Sequence, residues 1–288
     1  MTSSSSRVTT SLPAPTPAEL DGIELYGDHF SPAEVSRWFA DEAEAYAQMQ
    51  QTGETGRGGE EYSHLHRYHA ASVLTRHSEG GTLLALGPGD GDELETFARS
   101  GKWRIFAVEA SATLRAELTR RFPGITVLSA DTLGTLPVPD ASIDLFMAFG
   151  VLHHIPNVSK VLREIARVLR AGGSAILREP GSAMGDWRGH RQGCTAHERG
   201  MTLGWMERSV AATTLRFAEP ARPCLFRPWI RIAQRLGVDP LSPVGVRVDS
   251  WLATVTRWNA RYRRRHWWDR FAPGAYIYLL RKEEGGTE

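Results

Sequence analysis

The sequence predicts an α/β protein with a mostly parallel sheet covered by helices on both faces. Over residues 82–180, short apolar runs alternate with helix-forming runs, an order typical of right-handed βαβ units. A glycine-rich turn, Gly87 to Gly91, follows the first apolar run, and acidic residues follow the next two, at Glu109 and Asp131. In a parallel sheet such positions meet beyond the carboxyl ends of the strands, where ligands bind.

The composition is that of a folded globular protein. The chain has 288 residues, a net charge of +1 and 41% hydrophobic residues, which allows one large domain or two small ones. The charge gives no global field that would attract nucleic acid or a membrane, and no apolar run approaches the roughly 20 residues of a membrane helix. The first residues lack a signal-peptide core. Cys194 and Cys224 form no C-x-x-C pair, which argues against a disulfide framework and favours a cytoplasmic protein.

Two segments precede the sheet. Residues 1–18 are rich in Ser, Thr and Pro and predict a flexible tail. Residues 19–80 predict an N-terminal helical lid, because Ser31 to Glu34 form a helix-start signature followed by apolar residues at helical spacing. Plain packing of this helix and closure of Tyr26 or Tyr46 over a pocket are both open interpretations.

A second lid helix is expected over residues 61–77. His66 and His69 share one face of this helix, which is a spacing that metal ligands use. No cysteine or acidic partner stands at a matching spacing, so histidines in solvent or at the rim of a pocket are favoured. We therefore predict no metal site.

The core, residues 81–218, contains the alternating elements. Its predicted strands span 83–86, 103–108, 125–128, 143–149, 174–178 and 214–218, and its predicted helices span 93–99, 112–122, 158–170 and 202–211. Ser111 and Asn157 are candidate N-caps of the second and third helices. A polar, glycine-rich loop over 181–200 interrupts the pattern at the edge where ligands bind.

The C-terminal part predicts a helical cap insertion, residues 219–272, and a closing strand with a tail, residues 273–288, in which the strand spans 275–280 and the solvated tail begins at Arg281. Between residues 257 and 270 the insertion interleaves arginines with tryptophans. An amphipathic cap whose tryptophans pack inward is favoured over a surface that binds an anionic acceptor. Nucleic acid is disfavoured further, because the near-zero net charge gives no extended basic surface.

The glycine turn predicts a site for a ligand that contains a nucleoside, although glycine pairs also occur in ordinary tight turns. A carboxylate at Glu109 can accept both ribose hydroxyls, as in NAD sites and in S-adenosylmethionine sites. A dinucleotide site prefers G-x-G-x-x-G, and Asp92 occupies the last glycine position. Asp90, Asp92 and Glu93 would repel a pyrophosphate and tolerate a sulfonium, so S-adenosylmethionine is favoured.

Taken together, residues 82–180 resemble a class I S-adenosylmethionine-dependent methyltransferase of the small-molecule type. The stretches that carry the resemblance are 86–93, 108–110, 130–131, 149–156 and 169–173. The resemblance implies a seven-stranded, Rossmann-like sheet whose last strand is antiparallel. It implies a cofactor site formed by Gly87, Gly89, Gly91, Asp92, Glu109, Ala110, Asp131, Thr132, Phe149 and Gly150. In it Glu109 holds the ribose, Asp131 faces the adenine amino group and Phe149 lies beside the cofactor.

One position departs from the family pattern. The family usually has an acidic residue two positions before the first motif glycine, and Ala85 stands there. That residue often helps to hold the methionine ammonium. Backbone carbonyls, Asp90 or Asp92 would take over this contact, and loss of methyl transfer is the alternative.

Methyl transfer needs positioning and, for a hydroxyl or amine acceptor, a general base. His154 is the first candidate and His153 the second, since the loop after the fourth strand faces the acceptor in this family. Glu179 follows the fifth strand and could orient the base or take the proton. The predicted substrate contacts are Tyr26, Trp187 and Arg188.

The leading hypothesis is an enzyme that methylates oxygen or nitrogen of a small-molecule acceptor, such as an anionic compound or a natural-product intermediate. An RNA methyltransferase and a repurposed, non-methylating cofactor-binding protein are the alternatives, with a nicotinamide dehydrogenase more distant. A homodimer is left open, and no membrane partner is expected.

Overall fold

The computed structural model of the protein describes residues 11–52, 68, 69, 73, 75, 77–182, 184, 187–189, 191 and 193–284. Its strands are β1 (Gly81–Leu86), β2 (Trp103–Glu109), β3 (Thr126–Ser129), β4 (Ile143–Phe149), β5 (Leu169–Pro180), β6 (Leu215–Phe217), β7 (Arg222–Cys224) and β8 (Ala275–Lys282). They form one sheet in the order β3-β2-β1-β4-β5-β8-β6, and β7 pairs with β8 outside this path.

The helices flank this sheet and precede it. They are α1 (Pro17–Leu20), α2 (Pro32–Thr52), α3 (Glu95–Ser100), α4 (Ala112–Arg121), α5 (Val158–Val168), α6 (Leu203–Ala211), α7 (Arg227–Arg235) and α8 (Pro243–Val255). Short 3₁₀ turns span Leu152–His154, Arg257–Asn259 and Trp267–Arg270. Within the described part of the chain, every helix is too short or too polar to cross a membrane.

The strand directions confirm the predicted α/β class. Strands β1 to β5 pair in parallel, whereas β8 is antiparallel to both β5 and β6. The resemblance implied seven strands; the eighth, β7, is a short addition on β8. It contains Pro223, which an edge strand tolerates because one of its sides makes no ladder hydrogen bonds.

The strand register brings the candidate site together. Leu86 of β1 lies beside Val108 of β2, and Phe149 of β4 lies beside Arg178 of β5. The residues that come next along each strand therefore meet at one edge of the sheet. Side chains alternate between two buried clusters on the opposite faces, so that Leu84 belongs to one cluster and Leu83 to the other.

Helix α5 and strand β5 divide their residues differently from the prediction. The helix ends at Val168, and Leu169 already pairs with Ile143 of β4. The next pair on these two strands joins Leu145 and Ser174, so the chain between Leu169 and Ser174 bulges out of register. The two glycines at 172 and 173 therefore lie within the strand, and they do not end the helix as the sequence predicted.

The closing strand also runs further than predicted. Arg281 and Lys282, expected in a solvated tail, lie in β8 and pair with residues of β5 and β6. Backbone pairing accommodates charged side chains at the end of a strand, where they reach solvent or a neighbouring carbonyl. The ammonium of Lys282 donates to the carbonyl oxygen of Leu169 at 2.8 Å.

The N-terminal segment is packed where the structure describes it. Thr16 and Glu19 form a capping box around α1, and the hydroxyl of Tyr26 donates to the carbonyl oxygen of Pro13 at 2.7 Å. Of the residues predicted to lie in a flexible tail over 1–18, the carbonyl groups of Pro13, Thr16, Pro17 and Ala18 accept hydrogen bonds in this segment. Residues 1–10 and most of the predicted helix over 61–77 lie outside the described residues.

The cap of α5 comes from a different residue than the sequence predicted. Asn157 has a positive φ of 55° and makes no capping hydrogen bond with its side chain. Its amide instead pairs with both backbone groups of Phe30, at 3.1 Å each. The carboxylate of Asp28 accepts the backbone N–H of Ser159 at 2.7 Å and also the hydroxyl of Ser159, so the lid segment caps the core helix.

Replacing Asp28 tests this cap between segments. Asp28→Ala removes both acceptors at the start of α5, and we expect the free energy of unfolding in urea to fall by about 1–2 kcal/mol. Asp28→Asn, which keeps one acceptor oxygen, should lose less. Asp21→Ala, at an exposed position on the same segment, is the matched control. An Asp28→Ala protein as stable as the control would contradict the capping role.

Candidate active site

In the glycine turn between β1 and α3, one glycine is packed against a neighbouring segment and another borders free space. Gly87 has φ +58°, and a Cβ there would lie 2.8 Å from a methyl carbon of Val151. Gly89 has φ +57°, and a Cβ there would meet nothing within 4 Å. Gly87 therefore lets the turn touch the segment after β4, while Gly89 borders free space that a ligand can approach.

Glu109 at the end of β2 is tied to the glycine turn. Its carboxylate accepts the backbone N–H of Gly89 at 3.3 Å and that of Ser111 at 2.8 Å. The side chain is buried, and burial raises the pKa of its carboxyl above the ordinary value. The two oxygens have further lone pairs that could accept ribose hydroxyls.

The charge of the turn is partly offset. Arg121 of α4 forms an ion pair with Asp92 at 2.8 Å and donates to the carbonyl oxygen of Asp90 at 3.0 Å. The carboxylate of Asp90 accepts the N–H of Asp92 at 3.2 Å. Arg121 therefore offsets the charge of Asp92, and the turn repels a pyrophosphate less strongly than the sequence predicted.

The remaining predicted cofactor residues lie along the same edge. Ala110, Asp131 and Thr132 are exposed, and Phe149 is buried at the end of β4. Asp131 accepts the backbone N–H of Leu133 at 3.1 Å, which lowers the pKa of its carboxyl. Contacts of these side chains with adenine stay a prediction.

Glu179 organises the turn that carries the two histidines. This residue near the end of β5 is fully buried, and its carboxylate accepts the backbone N–H groups of Val151 at 2.9 Å and Leu152 at 2.8 Å. It also lies 2.9 Å from Nδ1 of His153. One carboxylate thus fixes both the backbone of the turn and the orientation of an imidazole.

The protonation of this pair follows from its surroundings. Burial alone would raise the pKa of Glu179, but the hydrogen bond from His153 together with the backbone N–H groups lowers it. Burial, and then the neighbouring His154, lower the pKa of His153. His153 is therefore neutral at pH 7 and donates Nδ1–H to the carboxylate, a tautomer assigned from this contact. Its Nε2 is left as a proton acceptor.

Arg199 holds the opposite side of the same turn. It is fully buried, and its guanidinium donates to the carbonyl oxygens of His153 at 2.8 Å, Ile155 at 2.8 Å and Tyr26 at 3.0 Å. It also lies over the ring of Trp38, 4.8 Å from the ring centroid. Burial lowers the pKa of Arg199 to about 10, so it stays charged at neutral pH.

His154 faces the lid. Its Nδ1 lies 3.2 Å from a carboxylate oxygen of Glu42 in α2 and 3.2 Å from the hydroxyl of Thr195. Burial alone would lower the pKa of His154, but the hydrogen bond to Glu42 and the charge of Glu198 raise it above the ordinary value. At a given pH a larger fraction of this imidazole is therefore protonated than of a free histidine, and its Nδ1 is already paired with Glu42, so less of it is available to accept a proton.

Four of these residues escaped the sequence analysis: Glu42, Thr195, Glu198 and Arg199. Glu42 lies in a helix that carries several other charged residues, and the other three lie in the polar loop over 181–200, which has no periodicity. Nothing in the residue pattern distinguishes them from solvated side chains, because the histidines that they approach are more than 40 residues away in sequence.

The two histidines and Glu198 lie close enough together to be candidate metal ligands, whereas the sequence predicted no metal site. Nitrogen or oxygen atoms of His153, His154 and Glu198 all lie within 4.8 Å of one another. Each side chain also has a protein partner: Glu179, Glu42 and Thr195, respectively. These contacts account for the cluster as a hydrogen-bonded network. The absence of a metal stays a prediction.

Two of the predicted substrate contacts lie in an aromatic cluster. Tyr26 and Trp187 are buried and stacked, with ring centroids 4.5 Å apart, and Trp38 completes the cluster. Arg188 is exposed. The rings of Tyr26, in the lid, and Trp187, in the loop over 181–200, pack against each other. Contact of any of the three residues with a substrate stays a prediction.

The family comparison agrees with this geometry. Residues 84–177 match the family model described as a methyltransferase domain. The match covers the glycine turn, the end of β2 and the histidine turn. Residues 84–177 therefore contain a methyltransferase domain, and relatives named as S-adenosylmethionine-dependent methyltransferases support the class and the cofactor that the sequence predicted.

Curated relatives match over the same region. A probable S-adenosylmethionine-dependent methyltransferase of Mycobacterium tuberculosis is 34% identical over 98 residues, which are 34% of this chain and 35% of that protein. The 27-O-demethylrifamycin SV methyltransferase of Amycolatopsis mediterranei is 34% identical over 104 residues, which are 34% of this chain and 38% of that protein. The matches therefore span little more than a third of each relative.

Solved structures share the fold over a larger part of the chain. An S-adenosylmethionine-dependent methyltransferase of Mesorhizobium loti has a TM-score of 0.52 at 17% identity, over 75% of this chain and 98% of that one. The [4+2]-cyclase SpnF has a TM-score of 0.52 at 22% identity, over 75% of this chain and 80% of that one. At these identities the likeness concerns the fold alone.

Replacing Arg199 tests how the histidine turn is held. Arg199→Lys keeps the charge but cannot donate to Tyr26, His153 and Ile155 together, so carbonyl groups are left unpaired in the interior. We expect the free energy of unfolding to fall by about 2–4 kcal/mol, measured by chemical denaturation. Arg163→Lys, at an exposed position of α5, is the control. Equal stability of the two variants would contradict this role of Arg199.

Proposed function

We propose that the protein transfers the methyl group of S-adenosylmethionine to an oxygen or nitrogen atom of a small-molecule acceptor. The observation that carries the proposal is the contact between two turns at one edge of the sheet. The glycine turn, bordered by Glu109, touches Val151, and Val151 begins the segment that presents His153 on Glu179. A cofactor site and a candidate base thus lie side by side.

The residues present suit this cofactor. Gly89 lets a ligand approach the main chain, and Glu109 would accept the ribose hydroxyls. Ala85 is buried in β1 and offers no carboxylate, while Asp90 and Asp92 have local partners. The methionine ammonium would therefore be held chiefly by backbone carbonyls. When bound, S-adenosylmethionine supplies a methyl group already activated by its sulfonium.

We assign the general base to His153, in place of His154, which the sequence favoured. The proton that the acceptor oxygen or nitrogen loses on methylation would pass to Nε2 of His153. Glu179 then stabilises the imidazolium through the hydrogen bond to Nδ1–H. The pairing of His154 with Glu42 supports a positioning role for His154, since it joins the lid to the turn.

A small acceptor fits the organisation of the chain. The lid over 19–80, the loop over 181–200 and the insertion over 219–272 would enclose the acceptor, with Tyr26, Trp187 and Arg188 as proposed contacts. The relative from Amycolatopsis mediterranei is named for a small-molecule acceptor, a rifamycin. This supports the acceptor class, and the acceptor itself is to be found by assay.

The role of Glu109 is tested by binding. Glu109→Ala should weaken the binding of S-adenosylhomocysteine about 10- to 100-fold, because a charged acceptor of hydrogen bonds is lost. Isothermal titration calorimetry measures this directly. Glu117→Ala, a solvent-facing change on α4, is the control. Unchanged affinity in Glu109→Ala would remove this residue from the site.

The pH dependence distinguishes the two histidines. A general base must be neutral, so activity is lost as pH falls through the pKa of the base. With His153, whose pKa is lowered, kcat/KM should stay level down to about pH 6.5 and fall below it. With His154, whose pKa is raised, the fall would begin above that pH.

The matching variants are His153→Ala and His154→Ala. We expect His153→Ala to lower kcat about 10²- to 10⁴-fold with unchanged affinity for S-adenosylhomocysteine. His154→Ala should lower kcat by a smaller factor. A chelator is added in parallel because the two histidines lie close to Glu198. Full activity of His153→Ala would overturn the assignment of the base.

Binding and turnover have to be measured separately. The fold is shared with SpnF, which is named as a [4+2]-cyclase, so cofactor binding by itself does not establish methyl transfer. Binding of S-adenosylmethionine without methyl transfer to any candidate acceptor would favour a repurposed protein. Salt-sensitive retention and methylation of RNA would favour an RNA methyltransferase.

A further inference from the structure

Within the helical insertion, residues 225–271 expose an unusual amount of apolar surface. Of the thirteen large hydrophobic side chains exposed in the described residues, ten lie between Ile232 and Phe271. Trp258 is 80% exposed, and Trp251 and Trp267 are 64% exposed. The sequence favoured inward packing of the tryptophans between 257 and 270, which the exposure of Trp258 and Trp267 contradicts. The inner face of the insertion is already filled by smaller side chains such as Val246 and Ala253.

The same insertion is strongly basic. Residues 225–271 contain ten arginines and three aspartates, with no lysine or glutamate, which is a net charge of +7. Two of the aspartates, Asp249 and Asp269, are buried, whereas nine of the ten arginines are exposed. Because the whole chain has a net charge of +1, the other residues carry −6. The near-neutral total concealed a basic surface.

Apolar and basic side chains are mixed on this surface. Along α8 and just beyond it, Val244, Arg247, Trp251, Val255 and Trp258 follow one another at intervals of three, four, four and three residues, and all are exposed. This spacing places them on one face of the helix. In α7, Arg227, Arg231 and Arg235 recur every fourth residue.

The outward orientation is held by buried hydrogen bonds. Asp249 of α8 accepts the backbone N–H groups of Leu225 and Phe226, at 2.8 and 2.7 Å, and so fixes the entry to α7. The side-chain amide of Asn259 donates to the carbonyl oxygens of Trp268 and Phe271, at 2.8 and 3.2 Å. These hydrogen bonds fix the backbone that carries the exposed tryptophans.

We propose that this surface docks the protein onto a lipid bilayer that contains anionic phospholipids. Tryptophan is favoured at the boundary between head groups and acyl chains, aliphatic side chains enter beneath it, and arginines pair with lipid phosphates. This is attachment to one face of a bilayer by an interfacial surface. It differs from the expectation, drawn from the net charge, that no membrane takes part.

Two other occupants fit less well. A second copy of the chain on a two-fold axis would oppose two surfaces of charge +7, which repel each other. RNA would use the arginines and tryptophans, but it offers nothing to Ile232, Leu236, Val244 and Val255, which are exposed aliphatic side chains. A bilayer satisfies the charged, aromatic and aliphatic groups together.

The surface is anchored at the edge of the sheet that carries the candidate site. The insertion leaves the sheet after β7 and returns at β8, where the N–H of Gly274 donates to the carbonyl oxygen of Cys224 at 3.1 Å. Ala275 at the start of β8 lies beside Pro180, the residue after Glu179. Docking would thus hold this edge near the bilayer, although docking itself does not depend on the proposed methyl transfer.

Co-sedimentation with vesicles tests the proposal on the full chain. We expect retention on vesicles of phosphatidylcholine mixed with phosphatidylglycerol, little retention on phosphatidylcholine alone, and weakening as salt is raised. Arg247→Gln combined with Arg257→Gln should lower the partition coefficient about fivefold for each arginine. Trp251→Ser combined with Trp258→Ser should lower it about tenfold or more.

The controls are matched changes away from the insertion. Tyr46→Ser removes an exposed aromatic ring and Arg163→Gln an exposed arginine, and both should bind vesicles as the unchanged protein does. Circular dichroism and thermal melting establish that each variant is folded. A blue shift of tryptophan emission on adding anionic vesicles, absent in the tryptophan variant, is the second readout.

Several results would overturn the proposal. These are failure of the unchanged protein to bind anionic vesicles at low salt, or binding that the surface variants leave intact. RNA retention without vesicle retention, lost in the arginine variant, would assign the surface to RNA. A dimer in solution that the tryptophan variant dissociates, again without vesicle binding, would assign it to self-association.

Discussion

Two buried and opposite charges determine the turn on which the candidate site depends. Glu179 receives the N–H groups on one side of the segment from Val151 to Ile155, and Arg199 donates to the carbonyl oxygens on the other side. A buried charge is costly unless its hydrogen bonds are made, and here the backbone of the turn supplies most of them. The turn is fixed because releasing it would leave both charges unpaired.

The same contacts join the lid to the core. Arg199 also binds the carbonyl oxygen of Tyr26, Trp38 donates its indole N–H to the carbonyl oxygen of His154, and Glu42 pairs with His154. The lid thereby sets the environments that separate the two histidines. His153 rests on a buried carboxylate and has a lowered pKa, whereas His154 faces a lid carboxylate and has a raised pKa. Neighbouring residues in the sequence thus acquire different chemistry from different partners.

The basic insertion shows why charge has to be considered locally. A total of +1 is compatible with an evenly neutral surface and also with a strongly basic patch on an acidic body, and the two attract different partners. The tryptophans follow the same logic, because a helix whose inner face is filled by small residues turns its large side chains outward. Both features follow from where the insertion meets the rest of the protein.

The sequence by itself determined the class of fold and the location of the site. Alternating apolar runs and glycine turns at strand ends are local features, and they placed Gly87, Glu109, Glu179 and the histidines at one edge before any contact was known. It misplaced the cap of α5 and the direction of the tryptophans. As the general base it favoured His154, whereas we propose His153. Asp28, Glu42 and Arg199 act on residues more than 40 positions away. Such partners are decided only by tertiary packing, because nothing in the local pattern of a polar residue records which distant backbone it will meet.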